Sequence, residues 1–147
     1  MISIHRKNSQ QLYEENFSKI RALLPDLNLF EHVTMSCNSL GIQVCVDVLE
    51  RTPYTLLISI TSRYFEKVTH MPETKIQVRV YFDAQLAEVL TVQGHRRIQP
   101  HYKYPNTKMY LPDEKKQGNL LLAEMLNFCA RNNFQKSYFS QPVAINN

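Results

Sequence analysis

Residues 75–93 read KIQVRVYFDAQLAEVLTVQ. Ile76, Val78, Val80 and Phe82 fall on one parity; Lys75, Gln77, Arg79 and Tyr81 fall on the other. Side chains of an extended chain point to opposite faces in turn, so this alternation predicts a strand with one buried face and one polar face. QLAEVLTVQ follows at once and predicts the partner strand of a hairpin. With Asp83 to Leu86 as a four-residue loop, Phe82 lies opposite Ala87, Val80 opposite Val89 and Val78 opposite Thr91. The polar face then pairs Tyr81 with Glu88 and leaves Arg79 one diagonal step away.

The same period runs upstream. In GIQVCVDVLE (residues 41–50), Ile42, Val44, Val46 and Val48 share a face against Gln43, Cys45 and Asp47. TLLISITS (55–62) puts Leu56, Ile58 and Ile60 inward, and Pro53 sits in the connection before it, where a turn belongs. HVTMSC (32–37) predicts a first, less regular strand. No helical crossover fits between residues 31 and 93, so short connections imply an antiparallel meander of about five strands.

Helical spacing flanks the strands. From Asn8 to Leu24 the apolar positions Leu12, Tyr13, Phe17, Ile20, Leu23 and Leu24 recur at three and four residues. Asn8 is a helix cap with Gln11 as its reciprocal partner, and Pro25 ends the helix. A second helix is expected over Asp113 to Arg131, with Leu121, Leu122, Met125, Phe128 and Cys129 on one face. Pro112 and the acidic Asp113 and Glu114 are its start signals, and Asn132-Asn133 is its stop. Residues 134–147 show no clear period and are expected to pack as a coil. The architecture expected is a single α+β domain over residues 1–147, ordered over 8–131, with both helices on one apolar sheet face.

The chain has 147 residues, 44% of them hydrophobic and 20% charged, which excludes a disordered chain and suffices for an unstapled core. The apolar runs are too short to span a bilayer, so no membrane partner is expected. The N-terminus lacks a signal-peptide apolar region. Cys37, Cys45 and Cys129 show no CxxC spacing, which favours small buried thiols in a reducing compartment, the cytoplasm.

The net charge of +4 is local. Gly94 to Gly118 carry six basic residues (Arg96, Arg97, Lys103, Lys108, Lys115, Lys116) and two acidic ones, an excess equal to that of the whole chain. Within HYKYPNTKMYLPDEKKQGN (101–119), Tyr102 and Tyr104 alternate around Lys103. Aromatic rings interleaved with cations suit a single-stranded nucleic acid, whose bases stack and whose phosphates need neutralising. Tyr104-Pro105-Asn106-Thr107 is also good turn chemistry, and tyrosines at such a junction pack with their hydroxyls hydrogen-bonded. The stretch is therefore read first as a joint between sheet and helix, with the nucleic-acid surface as the alternative.

His5, His32, His70, His95 and His101 lack the spacing of a metal pair, and no metal is expected. Three scattered glycines (Gly41, Gly94, Gly118) exclude a glycine-rich phosphate or dinucleotide loop, so no cofactor is expected. Nucleophile elbows and Walker loops are absent.

VRVYFDAQLAEV (78–89) and HYKYPNTKMYLPDEKKQGN (101–119) resemble the two characteristic segments of the YqiB-like bacterial proteins, a domain family of unknown function. YEENFSKIRALLP (13–25) resembles the family's opening helix, and the resemblance spans residues 12 to 131. It implies a small cytoplasmic bacterial protein and brings no established reaction. The family's recurring polar positions fall on Arg79, Tyr81, Asp83, Glu88, Tyr102, Tyr104, Asn106, Asp113, Glu114, Lys115, Gln117 and Asn119. Phe82 stands where relatives tend to have His, and Lys103 where they tend to have Asp.

Three roles follow from these residues. The first is a non-catalytic binding or adaptor module, with Arg96, Arg97, Lys103 and Lys108 as a basic patch for an anionic ligand or nucleic acid. The second is a small enzyme on a phosphorylated or carboxylated metabolite, with Arg79 holding the anion and Glu88 or Asp83 as acid or base. The third is a structural or protein-interaction domain, with Asp113, Glu114 or Asn119 tying the last helix to the sheet.

Overall fold

The computed structural model describes residues 8–64, 74–93 and 112–139, the side chains at 64, 112, 113 and 139 aside. Helix α1 (Ser9–Leu23) opens on the expected capping box: Asn8 Oδ1 accepts from the Gln11 N–H at 2.8 Å, and Gln11 Oε1 accepts from the Asn8 N–H at 3.1 Å. Five strands then meander: β1 (His32–Cys37), β2 (Ile42–Arg51), β3 (Thr55–Tyr64), β4 (Thr74–Tyr81) and β5 (Leu86–Gln93). Helix α2 (Pro112–Arg131) follows, and the chain closes with β6 (Gln135–Phe139).

The sheet has six strands in the order β5-β4-β3-β2-β1-β6, antiparallel at every pairing. The sixth strand corrects the expected coil. QKSYF carries no apolar alternation: Lys136 and Tyr138 share the parity of the core-facing Met35 and Val33, and the Tyr138 ring meets Phe30 edge-on with ring centroids 5.3 Å apart. Its pairing with β1 is what defines it.

One face of the sheet is the core. Val33 and Met35, Val44 and Val46, Leu56 and Ile58, Ile76, Val78 and Val80, and Ala87 and Val89 are all buried there. Phe17 and Ile20 of α1 and Leu122 and Leu126 of α2 cover them. The cavity beneath the helices is lined by apolar side chains and Cys129. It offers no group to hold or turn over a polar substrate, so any polar site lies elsewhere.

Two bulges adjust the pleat. Val48 pairs with Ile58 but Glu50 pairs with Leu57, so Leu49 is the extra residue. By parity Glu50 would follow Val48 onto the core face; the inserted residue turns it outward. In β5, Leu90 is extra between Val89 and Thr91, and this returns Val92 to the core side. Gly41 takes φ 68° at the β1–β2 turn, where the absent Cβ makes a left-handed residue easy.

Candidate functional site

The β4–β5 loop is Phe82–Gln85, not Asp83–Leu86. Tyr81 therefore pairs with Leu86, Val80 with Ala87, Val78 with Val89, and Arg79 stands directly opposite Glu88. Tyr81 and Arg79 exchange their expected places. The face survives the change, because the register moved by an even number of residues. Phe82 leaves the ladder but still packs on the core, edge-on to Phe17 at 6.4 Å.

Arg79, Tyr81 and Glu88 thus share the sheet face opposite the helices, as expected, and α2 adds Lys115. Glu88 is the hub. Its Oε1 accepts from the Tyr81 hydroxyl at 3.4 Å, and its Oε2 pairs with the Lys115 ammonium. Arg79 Nη1 lies 3.9 Å from Glu50 Oε1, the carboxylate that the Leu49 bulge brings outward. That contact is an ion pair beyond hydrogen-bond reach, so the guanidinium keeps its donors for another acceptor.

The cluster's titration follows from these contacts. Partial burial of Tyr81 and the negative charge of Glu88 raise the phenol above its ordinary value of 10.0, so it stays a neutral donor. Burial disfavours the charge on Lys115, but the hydrogen bond and charge of Glu88 outweigh it. The ammonium titrates above 10.5. Lys115 lies in the first turn of α2, where the helix dipole opposes a cation, and Glu88 offsets that too.

Asn119, one helical turn on from Lys115, is fully buried and works differently. Its Oδ1 accepts from the Val89 N–H at 3.0 Å and its Nδ2 donates to the Lys115 carbonyl at 2.8 Å. Asn16 of α1, also fully buried, donates to the Asn119 carbonyl at 3.0 Å. One residue ties both helices to β5.

Asp83 caps its own turn, accepting from the Ala84 N–H at 2.9 Å, and is exposed. The Asp113 side chain, Tyr102, Tyr104, Asn106, Arg96, Arg97, Lys103 and Lys108 lie outside the described residues. Glu88 lies five residues before β5 ends at Gln93, about 16 Å back along the strand, and Lys115 lies in the first turn of α2, so their contact joins the hairpin end of β5 to the start of α2.

A second polar cluster, at the other side of the same face, was not expected. His32 Nδ1 lies 2.5 Å from Asp47 Oδ1, and His32 Nε2 lies 2.8 Å from Thr34 Oγ1. Thr34 Oγ1 lies 3.9 Å from Cys45 Sγ, whose thiol donates to Gln43 Oε1 at 3.9 Å. Cys45 is half-buried on this polar face, whereas Cys37 and Cys129 are buried as expected. The available signal was parity: His32 and Thr34 share a face of one strand, Cys45 and Asp47 a face of the next. Only the pairing of Thr34 with Cys45 and His32 with Asp47 joins them.

The family described as "Protein of unknown function (DUF1249)" matches residues 19–135. "Uncharacterized protein YqiB" of Escherichia coli (strain K12) is 36% identical over 119 residues, covering 81% of this chain and 84% of that protein. The protein of the same name from Escherichia coli O157:H7 matches to the same extent. No solved structure matches the chain. The matched stretch runs from the second half of α1 to the start of β6 and includes Arg79, Tyr81, Glu88, Lys115 and Asn119. The chain belongs to the DUF1249 family, and is similar across most of its length to the YqiB proteins of E. coli.

Proposed function

We propose that this protein is a binding module for an anionic partner, a single-stranded nucleic acid in the first instance, and that the Arg79–Tyr81–Lys115 face and segment 94–111 make the contact. The observation that carries the reading is the charge of residues 94–111, which follow β5 and lead into α2. That segment contains Arg96, Arg97, Lys103 and Lys108, three tyrosines and no acidic residue. The described cluster is itself balanced, with Arg79 and Lys115 against Glu50 and Glu88. The surplus positive charge comes from residues 94–111, and that surplus draws anions over long range.

Glu88 acts here as a counter-ion. With Lys115 on one oxygen and Tyr81 on the other, it is occupied, and no proton transfer is assigned to this cluster. The three free cysteines fit a reducing compartment, and the cytoplasm is the proposed location.

Fluorescence anisotropy with labelled single-stranded RNA, single-stranded DNA and polyphosphate tests the reading. Binding at low salt is expected, weakening as salt rises. The Arg79→Ala/Lys115→Ala double variant should flatten the salt slope by about 1.4, since each phosphate contact on a single strand contributes about 0.7. No binding of any of the three at low salt overturns the proposal.

A further inference from the structure

The second cluster has the layout of an activated nucleophile. The Asp47 carboxylate can only accept, so the 2.5 Å contact places the proton of His32 on Nδ1. That leaves the Nε2 lone pair facing Thr34 Oγ1 at 2.8 Å, where it accepts the hydroxyl proton. A hydroxyl against a base, and the base held by a third group, is the arrangement that makes an alcohol attack carbonyl carbon. The His32 and Asp47 side chains are 32% and 44% exposed, so the base is open to solvent and to a small reagent.

We infer that Thr34 is a nucleophile for activated acyl groups, with His32 as its general base and Asp47 as the positioning residue. The chemistry is bounded by what surrounds it. β1 is paired on both sides, to β2 and to β6, so its backbone N–H groups are committed to the ladder. No oxyanion hole can be assembled from them, and stabilisation of a tetrahedral oxyanion is the largest single aid to acyl transfer. The substrate class is therefore an acyl donor whose leaving group is already good: an aryl ester or an acyl phosphate, not an amide.

In the transfer, the Thr34 oxygen bonds to the carbonyl carbon and its proton passes to His32 Nε2. The bond from that carbon to the leaving oxygen breaks, the leaving group departs as an anion, and His32 releases its proton to solvent. The site is separate from the anion cluster. His32 on β1 and Arg79 on β4 are three strand spacings apart, about 14 Å.

The test treats the full chain with p-nitrophenyl acetate and maps acetylation by peptide mass spectrometry, in the wild type and in a Cys45→Ala background that removes the neighbouring thiol. An acetyl group on Thr34 is expected in both. Thr34→Val should lose it, and His32→Ala should slow it by about a hundredfold. Asp47→Asn should slow it without moving the melting temperature in step. Should His32→Ala fail to fold, His32→Gln keeps a hydrogen-bonding side chain without a base. Acetylation confined to Cys45 and lysines overturns the inference, as does an unchanged Thr34 rate in a folded His32 variant.

Discussion

The Asn119 side chain satisfies two backbone groups at once, the Val89 N–H and the Lys115 carbonyl, with no exposure to water. Val89 belongs to an edge strand, where an unpaired N–H covered by a helix would be a buried orphan. Asn119→Ala should cost about 2–3 kcal/mol and lower Tm by roughly 5–10 °C in thermal denaturation. Thiol chemistry is a second residue-level matter. Burial pushes the Cys129 thiol up to about 11, so little thiolate exists near neutrality. Iodoacetamide at mildly alkaline pH should modify Cys45 in the folded protein, and Cys37 and Cys129 only after urea is added. Alkylation of Cys129 at the same rate as Cys45 would contradict the buried placement. Some of this was readable from the residues. The Asn8–Gln11 box was, because a cap acts over three residues of sequence. The Asp47–His32–Thr34 chain was not, because its members lie up to 15 residues apart and meet only through strand register.

At the scale of elements, the β4–β5 hairpin and the start of α2 titrate as a unit. Lys115 and Tyr81 both hold their protons more tightly folded than unfolded. Such groups contribute stability that is complete below their unfolded values and is lost as pH rises through the folded ones. The loss should begin near the ordinary values of 10.0 for tyrosine and 10.5 for lysine. Urea midpoints measured across that range should fall less steeply in Tyr81→Phe/Lys115→Met than in the wild type; equal slopes would mean that folding tightens neither proton. Gln85, with φ 59°, closes the hairpin in a left-handed conformation that a Cβ disfavours. Gln85→Gly should gain roughly 0.5–1 kcal/mol, the relief of that conformation less the added entropy of glycine in the unfolded chain. The hairpin itself was plain from alternation. Its loop kept four residues but moved back by one, because the position of a loop depends on which residue takes the left-handed turn conformation, and FDAQL carries no glycine to mark it. Glu50 escaped for a related reason: a bulge at Leu49 breaks the parity on which a face is read.

For the whole molecule, the α+β layering followed from two periods, 2 in the strands and 3.6 in the helices. The sixth strand needed tertiary contact to exist at all. Gln135–Phe139 covers the outer edge of β1, Tyr138 packs on Phe30, and Lys136 donates to the Leu23 carbonyl at 2.6 Å, capping the end of α1. A chain ending at Asn133 should lose all three contacts, melt a few degrees lower (about 1–2 kcal/mol by the loss of one partly covered ring and a ladder) and self-associate through the bared β1 edge in sedimentation velocity. An unchanged Tm and a monomeric truncation would mean that β6 is dispensable.

The strand order also sets a schedule for synthesis. Strands β1 to β5 pair with their sequence neighbours and can zip as they leave the ribosome. Helix α2 is made after them, and β6, which returns to the first strand made, comes last. At about 5–20 residues per second, several seconds pass in which the nascent sheet has half its apolar face and one long edge uncovered. The nascent chain is thus most sticky while residues 94–135 are being made. Slow codons or stalling between Gln93 and Gln135 would prolong that state, and a chaperone that shields sheet edges would act on this protein there.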